Sequence, residues 1–270
     1  MHSDRHRPRK RFGQHFLADR SVLERIVAAV DPRAGDELLE IGPGLGALTA
    51  LLIERAGHLR AIEIDRDLAR ALRERFPETA LELVEGDALE FDYGALPPGS
   101  RLVGNLPYNI STPLLFRIAL GSDRVRDAHF MLQKEVVARM AAMHSTPDYG
   151  RLSVMLQHRF RVERLFDVPA RAFRPAPKVE SAVVRLVPRA ARERGEVDDD
   201  ALRRVVTAAF SHRRKTLENA LSGVLPAALI AAQGIAPRLR PENVSLAQYV
   251  ELARVFARQD ALETPVIPKA

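Results

Sequence analysis

Cysteine is absent from this chain, which excludes disulfides and thiolate metal sites and suits a reducing compartment. With histidine alone to share a metal, none is expected. Long apolar runs are lacking as well. The greasiest stretch, residues 220–236, is broken by Ser222, Pro226 and Gln233, so it reads as core helix rather than a membrane span. The basic start is not followed by an apolar segment of signal-peptide type. The expectation is a soluble, cytoplasmic protein, a monomer, with no membrane partner. Lysine is scarce, five residues against 36 arginines, and neither repeats nor long low-complexity tracts occur.

The 270 residues can bury a sizeable core, and the length fits one large domain plus a small one. Net charge is +6 and concentrated at the start: residues 1–11 carry five Lys/Arg against one Asp, residues 12–190 carry 24 of each sign, and the remainder 12 against 10. A cationic arm holding Arg9, Lys10 and Arg11 is a common way to grip a polyanion, and Arg213, Arg214 and Lys215 form a second cluster. Such runs also occur as plain solvated surface, so charge alone leaves nucleic-acid binding open.

Periodicity organises the rest. Ser21 and Glu24 read as a capping box, followed by a helical stripe of Val22, Leu23, Ile26, Val27 and Val30 that ends at Asp31 and Pro32. Strands are predicted at 37–41, 59–64, 81–84, 101–105 and 128–132, with helices at 47–56, 67–76, 114–120 and 135–143 between or after them. Alternation at this spacing implies a parallel sheet wrapped on both faces, with ligands at the carboxyl ends of the strands. After a helix at 152–160 come strands at 162–168 and 179–187, separated by the stiff loop 173–178, so the sheet should end in an antiparallel hairpin. The charged stretch 189–200 reads as linker. Beyond it only helices are predicted, at 201–210, 216–222 and 227–232, with a last one capped by Ser245 and Gln248. Two domains follow, 1–190 and 191–270.

Chemistry-bearing residues fall at the strand ends. Gly42, Gly44 and Gly46 are spaced GxGxG and are preceded by Glu40, a pattern that differs from the dinucleotide fingerprint. A pyrophosphate needs a clear helix N-terminus, whereas S-adenosylmethionine has no phosphate and carries a sulfonium. Glu63 ends the next strand, placed to accept two ribose hydroxyls, and Asp87 follows the third, where an adenine would lie. Asn105, Leu106, Pro107 and Tyr108 end the fourth strand in a rigid turn that presents an amide, a carbonyl and a ring. That set suits a planar amine, whose two N–H groups the Asn105 oxygen and the Leu106 carbonyl can accept. The same four residues would also serve simply to shape a loop.

Taken in order, RKRFGQHFL, EIGPGLGALT, the EID strand end, GDAL, NLPYNIS, FRPAPKVESAVVRL and AFSHRRKTLENAL make a chain that resembles the bacterial small-subunit ribosomal RNA adenine dimethyltransferases from about Arg9 to Leu221. The resemblance implies a Rossmann-like class I methyltransferase sheet with a terminal antiparallel hairpin and a small all-helical C-terminal domain that binds RNA. It implies transfer of methyl groups from S-adenosylmethionine to N6 of two adjacent adenosines near the 3′ end of 16S RNA, within a small-subunit precursor. Cofactor contacts would then fall on His15, Leu17, Gly42, Gly44, Glu63, Asp87 and Asn105, with His15 standing where the family most often has Asn. Phe173 matches the family's aromatic that faces the target base, which would sit between it and Tyr108. Rival readings are a 23S RNA methyltransferase of the macrolide-resistance type, which shares the glycine loop and the NxPY turn, a DNA adenine methylase, and an RNA-binding assembly factor without catalysis.

Overall fold

A computed structural model describes residues 14–212 and 214–263. The expected RNA contacts Arg9, Lys10, Arg11 and Arg213 lie outside the described residues. Backbone contacts divide the chain into two compact units, one holding the residues up to Ala138 and Phe160–Pro188, the other Arg139–Arg159 and the residues from Arg189 onward. Residues 139–159 thus group with the later helices, although a division at 190/191 would place them with the sheet.

The first unit contains β1 (Phe16–Leu17), α1 (Arg20–Val30), β2 (Leu38–Ile41), α2 (Ala47–Ala56), β3 (Leu59–Glu63), α3 (Arg66–Arg75), β4 (Leu81–Glu85), β5 (Ser100–Asn105), α4 (Ser111–Leu120), β6 (Val125–Gln133) and the start of α5 (Lys134–Ala141). After α6 (Arg151–Arg159), which belongs to the other unit, come β7 (Phe160–Val168), β8 (Phe173–Arg174) and β9 (Ser181–Pro188). The seven-stranded sheet runs β4-β3-β2-β5-β6-β9-β7, with β4 through β6 parallel and β9 antiparallel to both β6 and β7. This is a Rossmann-like sheet closed by the expected hairpin. The order reverses between β2 and β5, so their carboxyl ends open a crevice at the point where ligands bind in such folds.

Helix α1 shows how the face of the sheet is covered. The helix presents Val22, Leu23, Ile26, Val27 and Val30 to a buried cluster shared with Val103, Met131 and Val183. Its cap is Asp19, whose Oδ1 accepts from the amides of Ser21 and Val22, so the expected Ser21–Glu24 capping box does not form. Glu24 instead pairs with Arg20 on the surface. The helix stops where Asp31 turns left-handed, at φ 47°.

Beneath the last turn of α1 sits Arg101, 3% exposed on β5. Its guanidinium reaches Asp127 at 3.0 Å, Asp36 at 2.7 Å and the carbonyls of Val30 and Asp31. Burial alone would raise the Asp127 carboxyl, yet His129 at 3.5 Å and the Arg101 charge draw it down to about 2. The strand β6 is therefore longer than its apolar centre suggests, because its polar residues are buried in company.

In the second unit, α6, α7 (Ala191–Arg194), α8 (Asp199–Ser211), α9 (Leu217–Ala220), α10 (Ala227–Ala232) and α11 (Leu246–Glu263) surround a core that includes Leu202, Val205, Leu217, Ile230, Tyr249 and Leu252. The Ser245–Gln248 box forms as expected, with Ser245 N donating to Gln248 Oε1 at 2.9 Å and Gln248 N to Ser245 Oγ. Arg214 and Lys215 are exposed in the turn before α9. No described helix is long and apolar enough to cross a membrane.

Candidate active site

A cavity of about 250 Å³ opens at the carboxyl ends of β2, β3 and β5 and is lined by Gln14, His15, Gly42, Gly44, Glu63, Asp87 and residues 105–110, among others. Eight of the expected site residues meet here besides His15: Gly42, Gly44, Glu63, Asp87, Asn105, Leu106, Pro107 and Tyr108. Leu17 does not line this cavity. It lines a smaller neighbouring void of about 50 Å³, which shares Phe16, Gly42, Gly44 and Asn105 with the larger one.

The glycine loop is held open by backbone conformation. Gly42, Gly44 and Gly46 have φ of 71°, 58° and 75°, a region that side chains disfavour. At Gly44 a Cβ would also crowd the Phe16 ring, 3.0 Å away, so a side chain there would have to push that ring aside. Glu63 secures the loop from below: its Oε2 accepts from Gly44 N at 3.1 Å and its Oε1 from Asp65 N at 2.9 Å. Burial raises the Glu63 carboxyl above its usual range, and these two amide bonds partly oppose the rise. Each oxygen keeps a second lone pair, so the carboxylate can accept two hydroxyls from the cavity side as well.

Asp87 caps the next turn, with Oδ1 accepting from Leu89 N at 2.8 Å, and lines the cavity beside the apolar Ile64, Leu68 and Ala88. A flat ring edged by one carboxylate and faced by aliphatic carbons has the character of an adenine slot. Glu40, one strand residue before the loop, is 2% exposed and bonded to Thr49 Oγ1 at 2.7 Å. Burial, aided by the charge of Glu63, pushes its carboxyl up to about 7.

That shift makes a prediction about stability. An acid with a raised folded-state value contributes its stabilisation below its unfolded value near 4.5 and loses it as pH rises through 7. Glu40→Gln is expected to match the wild type near pH 5 and to be more stable at pH 8, by roughly 3 kcal/mol. His158, whose burial lowers it to about 4, titrates with the opposite sign in an overlapping window, so the comparison must be the difference between the two proteins. Thermal unfolding of both across pH 5–8 measures it, and a constant difference would refute it.

The catalytic turn is set by close approach of two strands. A Cβ on Gly104 would lie 2.5 Å from the Ile41 carbonyl, so β5 can pass the end of β2 only as glycine. Asn105 Nδ2 donates to the His15 carbonyl at 2.8 Å, which leaves Oδ1 as the acceptor end of the amide. Tyr108 is half-buried, its hydroxyl shares a 2.6 Å hydrogen bond with Ser181 Oγ, and burial raises its phenol above the usual range. The His15 ring stacks on the Tyr108 ring with centroids 5.6 Å apart and planes at 25°, while His15 Nδ1 donates to the Pro175 carbonyl at 2.8 Å.

Phe173 is not offered to a base. It is fully buried in the same apolar cluster as Leu17, Val168 and Ala172, and it lines neither cavity. Its backbone explains why: β8 pairs antiparallel with β1, Leu17 opposite Phe173 and Phe16 opposite Arg174, which turns the ring inward. Several residues that build the site carried no signal in isolation. Gly104, Asp65 and Ser181 act through backbone approach, helix capping and the Tyr108 hydroxyl, and only their fixed offsets from the Gly, Glu and Pro motifs could have marked them.

A glycine loop under one strand end, a carboxylate at the next and an NxPY turn at the fourth, on this strand order, define a Rossmann-like methyltransferase. Residues 5–258 match the model of the ribosomal RNA adenine dimethylase family, and the chain belongs to that family. It is 56% identical over 252 residues to ribosomal RNA small subunit methyltransferase A of Aromatoleum aromaticum, covering 93% of this chain and 95% of that one. It is 55% identical to the protein of the same name from Thiobacillus denitrificans, covering 93% and 99%. Among solved structures it is similar to a dimethyladenosine transferase from Plasmodium falciparum, with a TM-score of 0.78, 26% identity and 91% and 98% of the two chains covered. The 23S rRNA methyltransferase ErmE follows the same fold at a TM-score of 0.67 and 28% identity, with 90% and 99% covered.

Proposed function

We propose that this enzyme dimethylates N6 of two adjacent adenosines near the 3′ end of 16S ribosomal RNA, within small-subunit precursors in the cytoplasm. The observation that carries the chemistry is the Asn105 amide, pinned through Nδ2 to the His15 carbonyl so that Oδ1 is the end left to accept a hydrogen bond. The small-subunit substrate is supported by the relatives above 50% identity, small subunit methyltransferases that match nearly the whole chain. The cavity of about 250 Å³ supports S-adenosylmethionine as the cofactor: Gly42 and Gly44 leave backbone to approach, Glu63 would take the ribose hydroxyls, and Asp87 with Ile64 and Ala88 would take the adenine. His15 would add a cofactor contact from the N-terminal side, whereas Leu17, expected there too, lines the neighbouring void.

The cofactor supplies an activated methyl group on a sulfonium, whose departure as a neutral thioether needs no acid. The chain supplies orientation and charge stabilisation. The exocyclic amine of adenine is a poor nucleophile because its lone pair is delocalised into the ring. Asn105 Oδ1 and the Leu106 carbonyl accept its two N–H groups and stabilise the positive charge that develops on nitrogen. The proton then leaves to water. Tyr108, locked by Ser181, gives the unstacked base a face, worth roughly 1–3 kcal/mol toward the expense of unstacking it. The helical unit and the cluster at Arg213, Arg214 and Lys215, with Arg9, Lys10 and Arg11, serve as phosphate contacts. The protein works as a monomer.

Transfer of labelled methyl to naked RNA, small-subunit particles, large-subunit particles and DNA, side by side, tests the substrate. Label confined to large-subunit RNA or DNA would overturn the proposal. Glu63→Ala is expected to weaken S-adenosylmethionine binding at least tenfold by calorimetry, roughly the effect of removing a charged hydrogen-bonding partner, while RNA binding persists. An unchanged dissociation constant would remove Glu63 from the site.

A further inference from the structure

A ring lying on the face of Tyr108 describes the target base in the reading above, on which this inference rests. It also describes His15 as it stands. The imidazole is stacked on Tyr108 at 5.6 Å, the His15 carbonyl holds the Asn105 amide at 2.8 Å, and Nδ1 is bonded to Pro175. Swinging Tyr108 away to make room would break the bond of its hydroxyl to Ser181. Two rings 5.6 Å apart do not admit a third between them, because a stacked base needs about 3.5 Å, the ordinary carbon contact distance, on each side.

We propose that the His15 imidazole is a placeholder for the target adenine, a specificity-determining side chain that holds the stacking face of Tyr108 until the base displaces it. Three contacts give the device its form. Strand β1, paired with β8, anchors the residue from one side. Gln14 Nε2, bonded to Asp65 Oδ2 at 3.1 Å, anchors it from the other. The Pro175 carbonyl has only lone pairs to offer, so Nδ1 carries the proton and the ring orientation is fixed while the site waits. When the base takes the face of Tyr108, the ring and its bond to Pro175 are lost together. The backbone carbonyl of His15 can stay on Asn105 throughout, so the amide remains aimed at the amine. Only a base that stacks well enough to outcompete imidazole gains the site, which raises the threshold for a purine over a weakly stacking pyrimidine.

The test is steady-state methylation of small-subunit particles by the full chain carrying His15→Ala, His15→Phe or His15→Asn. Removing the ring in His15→Ala should lower KM for particles by about two- to tenfold, the range that one aromatic pair contributes, and so raise kcat/KM. His15→Phe, which still stacks but cannot donate to Pro175, should return KM toward the wild-type value. His15→Asn should resemble His15→Ala and guards against a folding defect in either variant. A raised KM in His15→Ala, restored by Phe, would make the ring a wall of the base site and overturn the proposal. So would an unaltered KM, or an effect confined to the calorimetric affinity for S-adenosylmethionine. Tyr108→Ala is run alongside: wild-type KM and kcat there would overturn the placing of the base on Tyr108, a failure distinct from any result at His15.

Discussion

Asn105→Ala is expected to reduce kcat by about a hundred- to a thousandfold, the usual effect of losing one preorganised partner for developing charge. Binding of S-adenosylmethionine should survive, because the glycine loop, Glu63 and Asp87 hold their places through other bonds. Affinity and rate therefore separate. If calorimetry showed cofactor binding lost along with turnover, Asn105 would be a cofactor ligand first and the amine-holding role would fall. The wild type, by contrast, should pass through a detectable monomethyladenosine stage. An amine that already bears one methyl has a single N–H left for two acceptors, and a buried acceptor without a partner costs on the order of 1–3 kcal/mol. Nucleoside mass spectrometry after rapid quenching reads both effects in one experiment.

The second large effect concerns stability. Arg101→Ala is expected to destabilise the protein by about 3–5 kcal/mol, the range for removing one partner of a buried ionic cluster. The loss would leave Asp127 and Asp36 without the guanidinium and take a donor from the carbonyls that end α1. Arg101→Met combined with Asp127→Leu should lose less than Arg101→Ala alone, since it removes the Asp127 charge along with its partner and leaves only Asp36, which keeps Arg126 at 3.0 Å. Denaturant unfolding of the three proteins checks the order. If the double variant were the least stable, the cluster would hold the fold through the specific geometry of the pair and not through charge balance.

Most of the sheet was legible because its strands and helices carry strong periods. Helix α2 begins and ends where its pattern does, and the hairpin of β7 and β9 follows from two β-type runs with a stiff loop between them. Boundaries moved where a polar residue had a partner elsewhere. Strand β6 starts at Val125 because Asp127 answers Arg101 across β5, which a reading of the apolar centre alone could not see. Asp19 outcompeted Ser21 as the cap of α1 because a carboxylate two residues earlier takes the amides of Ser21 and Val22, so that the helix has already begun at Arg20.

The site was legible in its motifs and illegible in its joints. Strands of two residues have no periodicity, so the pairing of β1 with β8, some 157 positions apart, left no trace in the pattern. That pairing decides both departures at the base subsite: it buries Phe173, and it brings His15 to Tyr108.

The contact between Gly104 and the Ile41 carbonyl has a wider meaning for how this enzyme can change. Gly42 continues from β2 and Asn105 ends β5, and these neighbouring strands are locked at the very point where both leave the sheet. On the proposed reading, the residues that would hold methyl donor and methyl acceptor are thus mounted on a single frame whose spacing is that of hydrogen-bonded strands, roughly 4.8 Å. Heat, loop substitutions or a shifted RNA can alter how often a base arrives, but the gap the methyl crosses is ruled by the sheet. Variation among such enzymes in which base is taken, and how many methyls it receives, should therefore collect in the strap at residues 14–16 and the loop near Pro175, which meet at the face of Tyr108 without belonging to that frame.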